Sequence, residues 1–353
     1  MRNSKLTQQI EESTKLKSKE IEEVTLFNTG STELNLACSD TVKGAFPPGV
    51  MVNIVGDSHA GKTYLAHSIL AEATLNPSFK DYRLIYDNSE AADTGGIARM
   101  FGKTLVERIE APDGDRSDGI HDFKVNIWKV LRGEKPFIYV LDSLDALTTS
   151  EANKQLDDAV DGKKEKGSYG MEKPKVLSGI LGPVCRKLQN TKSLLIILSQ
   201  TRDDINPMSF QEKTRSGGRA LKFYASYEMW LALIGTHRKK TGEFDRIVGS
   251  KTRVKVTKNK LTGKVREAEF SIYYDYGIDD IGEMIDFMVD GKYWSKPSEK
   301  TIKAVDLDLE CSREKLIKQV EENNLEGKLR EIVGQKWNEI EQAVQLGRKK
   351  KYE

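Results

Sequence analysis

The sequence predicts an α/β fold: a mostly parallel central sheet, helices on both faces, and antiparallel strands added late. Three observations predict it. Short apolar, β-rich runs alternate with helical stretches through the first part of the chain. The first of these runs empties into a glycine-bounded G-x-x-x-x-G-K-[ST] segment that opens a helix. Beyond about residue 225 the runs follow one another through hairpin-like turns instead of helices.

The elements follow in order. Residues 5–24 alternate charges with Leu6, Ile10, Leu16 and Ile21, a thin apolar stripe that predicts a marginal helix in need of a surface. The run from Val50 to Val55 is the first strand, and Lys62 to Leu75 the helix behind it. Strands continue from Arg83 to Tyr86, from Phe137 to Leu141 and from Ser193 to Leu198. Helices are expected from Ile120 to Leu131 and from Val176 to Gln189. Continuous apolar strands with helices between them imply a sheet covered on both faces. The polar region 150–175 reads as a long loop. Tyr227 to Ile234, Arg253 to Thr257 and Ala268 to Tyr274 are further strands, with a turn at Leu261-Thr262-Gly263-Lys264. Lys296-Pro297-Ser298 reads as a linker, and 312–346 as helices of a small C-terminal module closing on the basic tail Arg348-Lys349-Lys350-Lys351. The expected division is an N-terminal arm 1–28, a core 29–295 and a module 296–353.

Composition narrows the function. The 353 residues are 38% hydrophobic and 31% charged, enough to build a core. Lys and Arg number 56 against 54 Asp and Glu, for a net charge of +2, which excludes a uniformly basic nucleic-acid coat and leaves only local basic patches. Cys38, Cys185 and Cys311 form no C-x-x-C pair, so a disulfide framework or cysteine-rich zinc site is excluded. The longest clean apolar run, Leu194 to Leu198, is far too short for a membrane span. The polar N-terminus is no signal peptide, so a soluble, cytoplasmic protein is expected.

Gly56-Asp57-Ser58-His59-Ala60-Gly61-Lys62-Thr63 is the candidate phosphate loop, with Tyr64 at the first turn of its helix. Glycines let backbone N–H groups point at an anion, and the helix N-terminus adds partial positive charge. In such a loop Lys62 reaches the β- and γ-phosphates of ATP and Thr63 ligates Mg²⁺. His59 reads as a loop position, not a metal ligand. Asp142 closes an apolar strand, as expected for the acid that holds Mg²⁺ through its water shell. A base is also needed for the attacking water. Asp87 and Glu90 end the second strand, and Gln200 at the end of the fourth offers an amide able to sense the γ-phosphate.

At this point the chain resembles the bacterial RecA recombinase family. Thr29-Gly30-Ser31-Thr32-Glu33-Leu34-Asn35 is similar to the family's T-G-S-x-x-L-D. Gly217-Gly218-Arg219-Ala220-Leu221-Lys222-Phe223-Tyr224-Ala225-Ser226 is similar to its G-G-x-A-L-K-F-Y-A-S, and the stretch from Val248 to Lys260 to its V-G-S-x-T-R-V-K-V-x-K-N-K. The likeness covers about residues 25–290. It implies a RecA-type P-loop ATPase core that binds ATP and Mg²⁺ between neighbouring protomers of a helical filament on single-stranded DNA, with an N-terminal polymerisation helix. Glu90 then takes the place of the catalytic glutamate. The family pattern is D-x-E, so one inserted residue is required; without it, Ser89 falls at that place. The adenine-stacking position falls at Ile97, Gln200 resembles the γ-phosphate sensor, and Lys258 and Lys260 the pair that reaches a neighbour's ATP. Phe223 resembles a residue of the protomer interface.

The region of about 150–175 falls at the family's first DNA-binding loop, longer than usual and rich in Lys and Asp, and the segment from Thr201 to Gly218 resembles the second, with Arg202 as its arginine and Ile205 as its apolar wedge. Arg215, Gly217, Gly218 and Arg219 belong to the same candidate site, and Arg186 matches a further DNA-contacting arginine. Such a loop grips phosphates and separates stacked bases regardless of sequence. Asp203 and Asp204 depart from the pattern by placing acid in it, and the basic tail departs from the family's acidic one. The implied function is an ATP-dependent recombinase pairing single-stranded with homologous duplex DNA, of phage or mobile-element type, with possible single-strand-binding or mediator partners. Two alternatives share the core: a nucleotide-binding filament scaffold that exchanges no strands, and a ring-forming replicative helicase.

Overall fold

A computed structural model of the chain describes residues 25–91, 96, 100–113, 115–133, 135–162, 172–203, 213–215 and 218–348. The expected N-terminal helix, Ile97, Asp204, Ile205, Gly217 and the tail beyond Arg348 lie outside the described residues.

The chain opens with α1 (Thr32–Ser39), then β1 (Val50–Gly56) and α2 (Lys62–Leu75). Next come β2 (Arg83–Asn88), α3 (Lys103–Arg108), β3 (Ile109–Glu110), α4 (Ile120–Arg132) and β4 (Phe137–Asp142). They are followed by α5 (Ser150–Val160), α6 (Glu172–Thr191), β5 (Leu194–Asp203), β6 (Lys213–Arg215) and α7 (Gly218–Tyr224). Three long strands and a short one complete the sheet: β7 (Tyr227–Thr241), β8 (Phe244–Asn259), β9 (Arg266–Tyr273) and β10 (Gly277–Ile278). The last part holds α8 (Asp280–Asp290), β11 (Ser295–Ser298), β12 (Thr301–Ala304), β13 (Leu309–Cys311), α9 (Arg313–Glu322) and α10 (Glu326–Ala343).

The main sheet runs in the order β10-β9-β8-β7-β1-β5-β4-β2-β3. From β7 to β3 every neighbour is parallel, and from β7 to β10 every neighbour is antiparallel. The expected mixture of parallel core and late antiparallel strands is therefore the observed one.

Both faces of the parallel part are dry, and residue alternation shows why its strands read as unbroken apolar runs. On β5, Leu194, Ile196 and Leu198 pack with Leu65, Ala66 and Ile69 of α2. Leu195 and Ile197 face the other way, toward Phe123 and Ile127 of α4 and Leu177 and Leu181 of α6. All of these side chains are buried. Because β1, β2, β4 and β5 are mutually parallel, their carboxyl ends emerge together at one sheet edge, where open α/β sheets form their ligand crevice.

Two expectations are corrected. The region 150–175 is not one loop, because Ser150–Val160 is the helix α5. The Thr149 side chain caps it by accepting from the Ala152 N–H at 3.1 Å, and the Glu172 carboxylate accepts from the Ser150 and Glu151 N–H groups at its first turn. None of its residues is buried: Ala152, Leu156, Ala159 and Val160 share one face, but among the described residues that face packs on no core, so the caps and not burial define the helix. Residues 163–171 lie outside the described residues. Lys296-Pro297-Ser298 is not a linker but part of β11, the edge of a three-stranded antiparallel sheet β11-β12-β13, a position where proline is tolerated. That sheet and α9 and α10 bury Ile302, Leu316, Val320, Leu329 and Trp337 in the same apolar cluster as Met284 and Ile285 of α8.

Candidate active site

The phosphate loop links β1 to α2. Gly61 stands immediately before the helix at φ +90°, and a Cβ there would come within 2.8 Å of the Ile272 side chain. The positive φ demands glycine, and a Cβ would in addition press on the end of the Ile272 side chain. With Ser58, His59, Lys62, Thr63 and Tyr64 it lines a cavity of about 470 Å³ that Glu90, Asp142, Gln200, Ser250 and Tyr274 complete. The Lys62 ammonium donates to the carbonyls of Gly56 and Asp57, at 2.8 and 2.9 Å. Burial lowers its pKa, opposed chiefly by the charge of Asp142 and then Glu90. Asp57 is fixed by a hydrogen bond from the Thr201 hydroxyl.

Asp142 sits at the end of β4. Its Oδ2 accepts from the Thr63 hydroxyl at 2.8 Å and from the Tyr86 phenol at 2.7 Å. Burial raises its pKa, and these two hydrogen bonds oppose the shift. The Asp142–Ser143 peptide is cis. The Ser143 hydroxyl donates to Glu90 Oε1 at 2.6 Å, and the Glu90 N–H donates to the Asp142 carbonyl at 3.2 Å. Glu90 is thereby held in the cavity beside Lys62 and Thr63.

Asp87 has a different environment. It is fully buried and accepts from the Ser117 N–H at 2.7 Å, the Ser117 hydroxyl at 2.6 Å and the Tyr139 phenol at 2.5 Å. Strand alternation puts it on the side of β2 opposite Tyr86, away from the cavity lining. Gln200, on β5, presents its side chain to the cavity while its N–H donates to Asp145 Oδ2 at 2.6 Å.

The donor set suits a nucleoside triphosphate with a hard divalent cation. It offers backbone N–H groups at a helix start, one buried ammonium, a hydroxyl and a carboxylate, all metal-facing atoms being oxygen. Lys62, Thr63 and Asp142 are the residues that would hold Mg²⁺·ATP.

Of the other expected residues, Lys258, Lys260, Phe223, Arg219 and Arg186 do not line this cavity. Lys258 donates to the carbonyls of Lys222 and Phe223, at the C-terminal end of α7, and the Lys260 N–H donates to the Ser226 carbonyl. Phe223 is 72% exposed, its ring edge-on to Tyr224 at 5.1 Å. β5 runs from Gln200 to Arg202, and Arg202 pairs with Thr214 on β6, so the two stems of the segment around 204–212 are joined as a hairpin. Gly218 opens α7 at φ +65°, and Arg219 and Arg186 are exposed. Three contributors were not anticipated from sequence: Tyr86, Ser250 and Tyr274. Ser250 and Tyr274 belong to runs quoted above for other reasons, whereas Tyr86 was read as part of a strand.

Comparison with known proteins places this geometry in context. The family model described as the RecA N-terminal domain matches residues 8–279. The chain is 32% identical to a protein named Protein RecA from Gluconobacter oxydans over 280 residues, covering 78% of this chain and 73% of that one. It is 32% identical over 276 residues to Protein RecA of Colwellia psychrerythraea and 31% over 280 residues to that of an Azoarcus strain, with the same coverage of 78% and 73% in both.

Proposed function

The chain belongs to the RecA family, and from that premise we propose that it is an ATP-dependent DNA recombinase. In this reading it forms helical filaments on single-stranded DNA, hydrolyses ATP at protomer interfaces and pairs the bound strand with homologous duplex. The observation that carries the proposal is that Glu90 meets Lys62, Thr63 and Asp142 in one cavity, while Gln200 in that cavity and Arg202 lie on the same strand.

Mg²⁺·ATP supplies the phosphoanhydride and the charge-neutralising metal. The residues do the rest. Backbone N–H groups of the loop and the Lys62 ammonium bind the phosphates. Thr63 and Asp142 fix the metal side. Glu90, oriented by the Ser143 hydroxyl, accepts a proton from the attacking water. Gln200 reports on the γ-phosphate, and β5 carries that report two residues on to the stem of the DNA-binding segment formed by Arg202, Ile205, Arg215, Gly217, Gly218 and Arg219, with Arg186 as a further phosphate contact. Lys258 and Lys260 lie outside their own chain's cavity, so their role is assigned across the interface, where cations stabilise transition-state charge. Phe223 is exposed and is assigned to the same interface. The base is assigned to the cavity end lined by Tyr274, and Ile97, which matches the family's adenine-stacking position, is assigned to the same role by that resemblance alone. The site of action is the cytoplasm of a bacterium or phage-infected cell.

The experiment is a joint-molecule assay with purified protein, circular single strands and homologous linear duplex. Joint molecules that require ATP and Mg²⁺ support the reading. DNA-stimulated ATP turnover with no joint molecules overturns it in favour of a scaffold, and closed rings by electron microscopy overturn it in favour of a helicase.

A further inference from the structure

Asp142 Oδ2 accepts two hydrogen bonds, from Thr63 and from Tyr86, and its Oδ1 accepts none among the described residues. Tyr86 is 8% exposed and His67 3%, and their rings lie 4.5 Å apart. One turn after Thr63 on α2, His67 places Nδ1 at 2.8 Å from the Thr63 carbonyl. A carbonyl only accepts, so Nδ1 carries the proton of a neutral ring, and burial keeps that ring neutral by lowering its pKa. His67 also stacks on Phe101 at 5.8 Å, and its Nε2 has no partner among the described residues. The contacts form a closed circuit: the Thr63 hydroxyl to Asp142, Asp142 to the Tyr86 phenol, the Tyr86 ring against the His67 ring, and His67 Nδ1 back to the Thr63 backbone carbonyl, joining α2, β2 and β4.

We infer that Tyr86 is a positioning residue for the metal side of the nucleotide site, with His67 as its support. This rests on the nucleotide-binding reading above. Two donors on Oδ2 hold the carboxylate against rotation and leave Oδ1 as the atom that would accept from water on a bound metal. The Thr63 proton is committed to Asp142, so the lone pairs of its hydroxyl are what would remain for a bound metal. Removing the Tyr86 hydroxyl leaves Oδ2 one donor short and frees the carboxylate to turn. The phenol is not a ligand and touches no substrate; it acts through Asp142. Burial and the adjacent Asp142 charge hold it in the donating, protonated form.

The test is equilibrium binding of a fluorescent ATP analogue, first in EDTA and then against a Mg²⁺ titration, with thermal melting alongside. Tyr86→Phe keeps the ring and its contact with His67. It should leave the metal-free affinity within about twofold of wild type and raise the Mg²⁺ concentration for half-maximal tightening about tenfold, the low end of what outer-shell partners contribute. His67→Phe removes the donor to the Thr63 carbonyl but keeps the Tyr86 hydroxyl, and should shift the same value about two- to threefold. It also carries the test should Tyr86→Phe fail to fold. A Mg²⁺ half-point unchanged from wild type in the folded variants, whatever happens to melting, overturns the inference. Wild-type protein that binds no analogue in Mg²⁺ overturns the nucleotide reading itself, before any variant is compared.

Discussion

The sharpest functional contrast in the molecule is between two acids three residues apart. Asp87 accepts three hydrogen bonds in a closed pocket formed by Ser117 and Tyr139, and Glu90 lines the phosphate cavity. Replacing Glu90 by Gln removes a base and keeps shape, and the Ser143 hydroxyl can still donate to the amide oxygen. General-base catalysis is worth about 10²–10⁴-fold, so DNA-stimulated ATP turnover should fall by at least about 100-fold with melting nearly unchanged. Replacing Asp87 by Asn keeps one acceptor, which can still take the Ser117 N–H, but puts an NH2 where Oδ2 accepted from the Ser117 and Tyr139 hydroxyls, so those hydroxyls must turn to accept; the loss is roughly 1 kcal/mol for each of the three contacts. Burial already disfavours the Asp87 charge and raises its pKa, which offsets part of that loss. The net cost should be about 2 kcal/mol, or roughly 4–8 °C in Tm, with turnover of the folded protein within about threefold of wild type. The assay is coupled ATP turnover on single-stranded DNA, paired with thermal melting of the same samples. Full turnover in Glu90→Gln, together with a folded but inactive Asp87→Asn, would refute the reasoning.

Trp337→Ala should destabilise the fold by about 3–5 kcal/mol, because the indole is 8% exposed, lies 5.3 Å from the Arg266 guanidinium and donates to Asp40; urea melts check it. Phe223→Ala should leave melting unchanged within about 0.5 kcal/mol, since the ring is exposed, while sedimentation with ATP and single-stranded DNA loses the assembled species. The Glu33 carboxyl is pushed up to about 8 by burial, reinforced by the charges of Glu283 and Glu269. Its folded pKa exceeds the unfolded one, so its contribution is full below the unfolded carboxylate range and is lost as pH rises toward that value. Glu33→Gln should therefore raise Tm relative to wild type more at about pH 9 than at about pH 5, as scanning calorimetry would show.

The sequence revealed what burial dictates. The runs that became β1, β2, β4 and β5 are buried on both faces and were legible as strands for that reason. What it hid is held by hydrogen bonding at exposed positions. β7 and β8 pair as far as Thr241 and Phe244, well past the expected ends at Ile234 and Arg253, because the arm propagates by cross-strand pairing in solvent and has no apolar face to mark it. α5, defined by its caps and unburied despite the apolar face of Ala152, Leu156, Ala159 and Val160, and β11, whose residues are all exposed, were hidden because neither contributes to the core. In the site, the phosphate loop and Asp142 were legible because their chemistry fixes residue types at fixed spacing. Whether Asp87 or Glu90 faces the phosphates depends on strand alternation and on Ser117, far along the chain, and local spacing carries neither. The Tyr86–Asp142 contact joins two strands through side chains alone and leaves no motif.

The central claim is that ATP turnover belongs to an assembly on single-stranded DNA, with the site completed by Lys258 and Lys260 of a neighbour. The most direct measurement is ATP turnover per chain, with and without single-stranded DNA, over a dilution series of the protein. The account predicts strong stimulation by DNA and a turnover per chain that falls as the protein is diluted. Turnover indifferent to DNA and constant per chain at every dilution would contradict it.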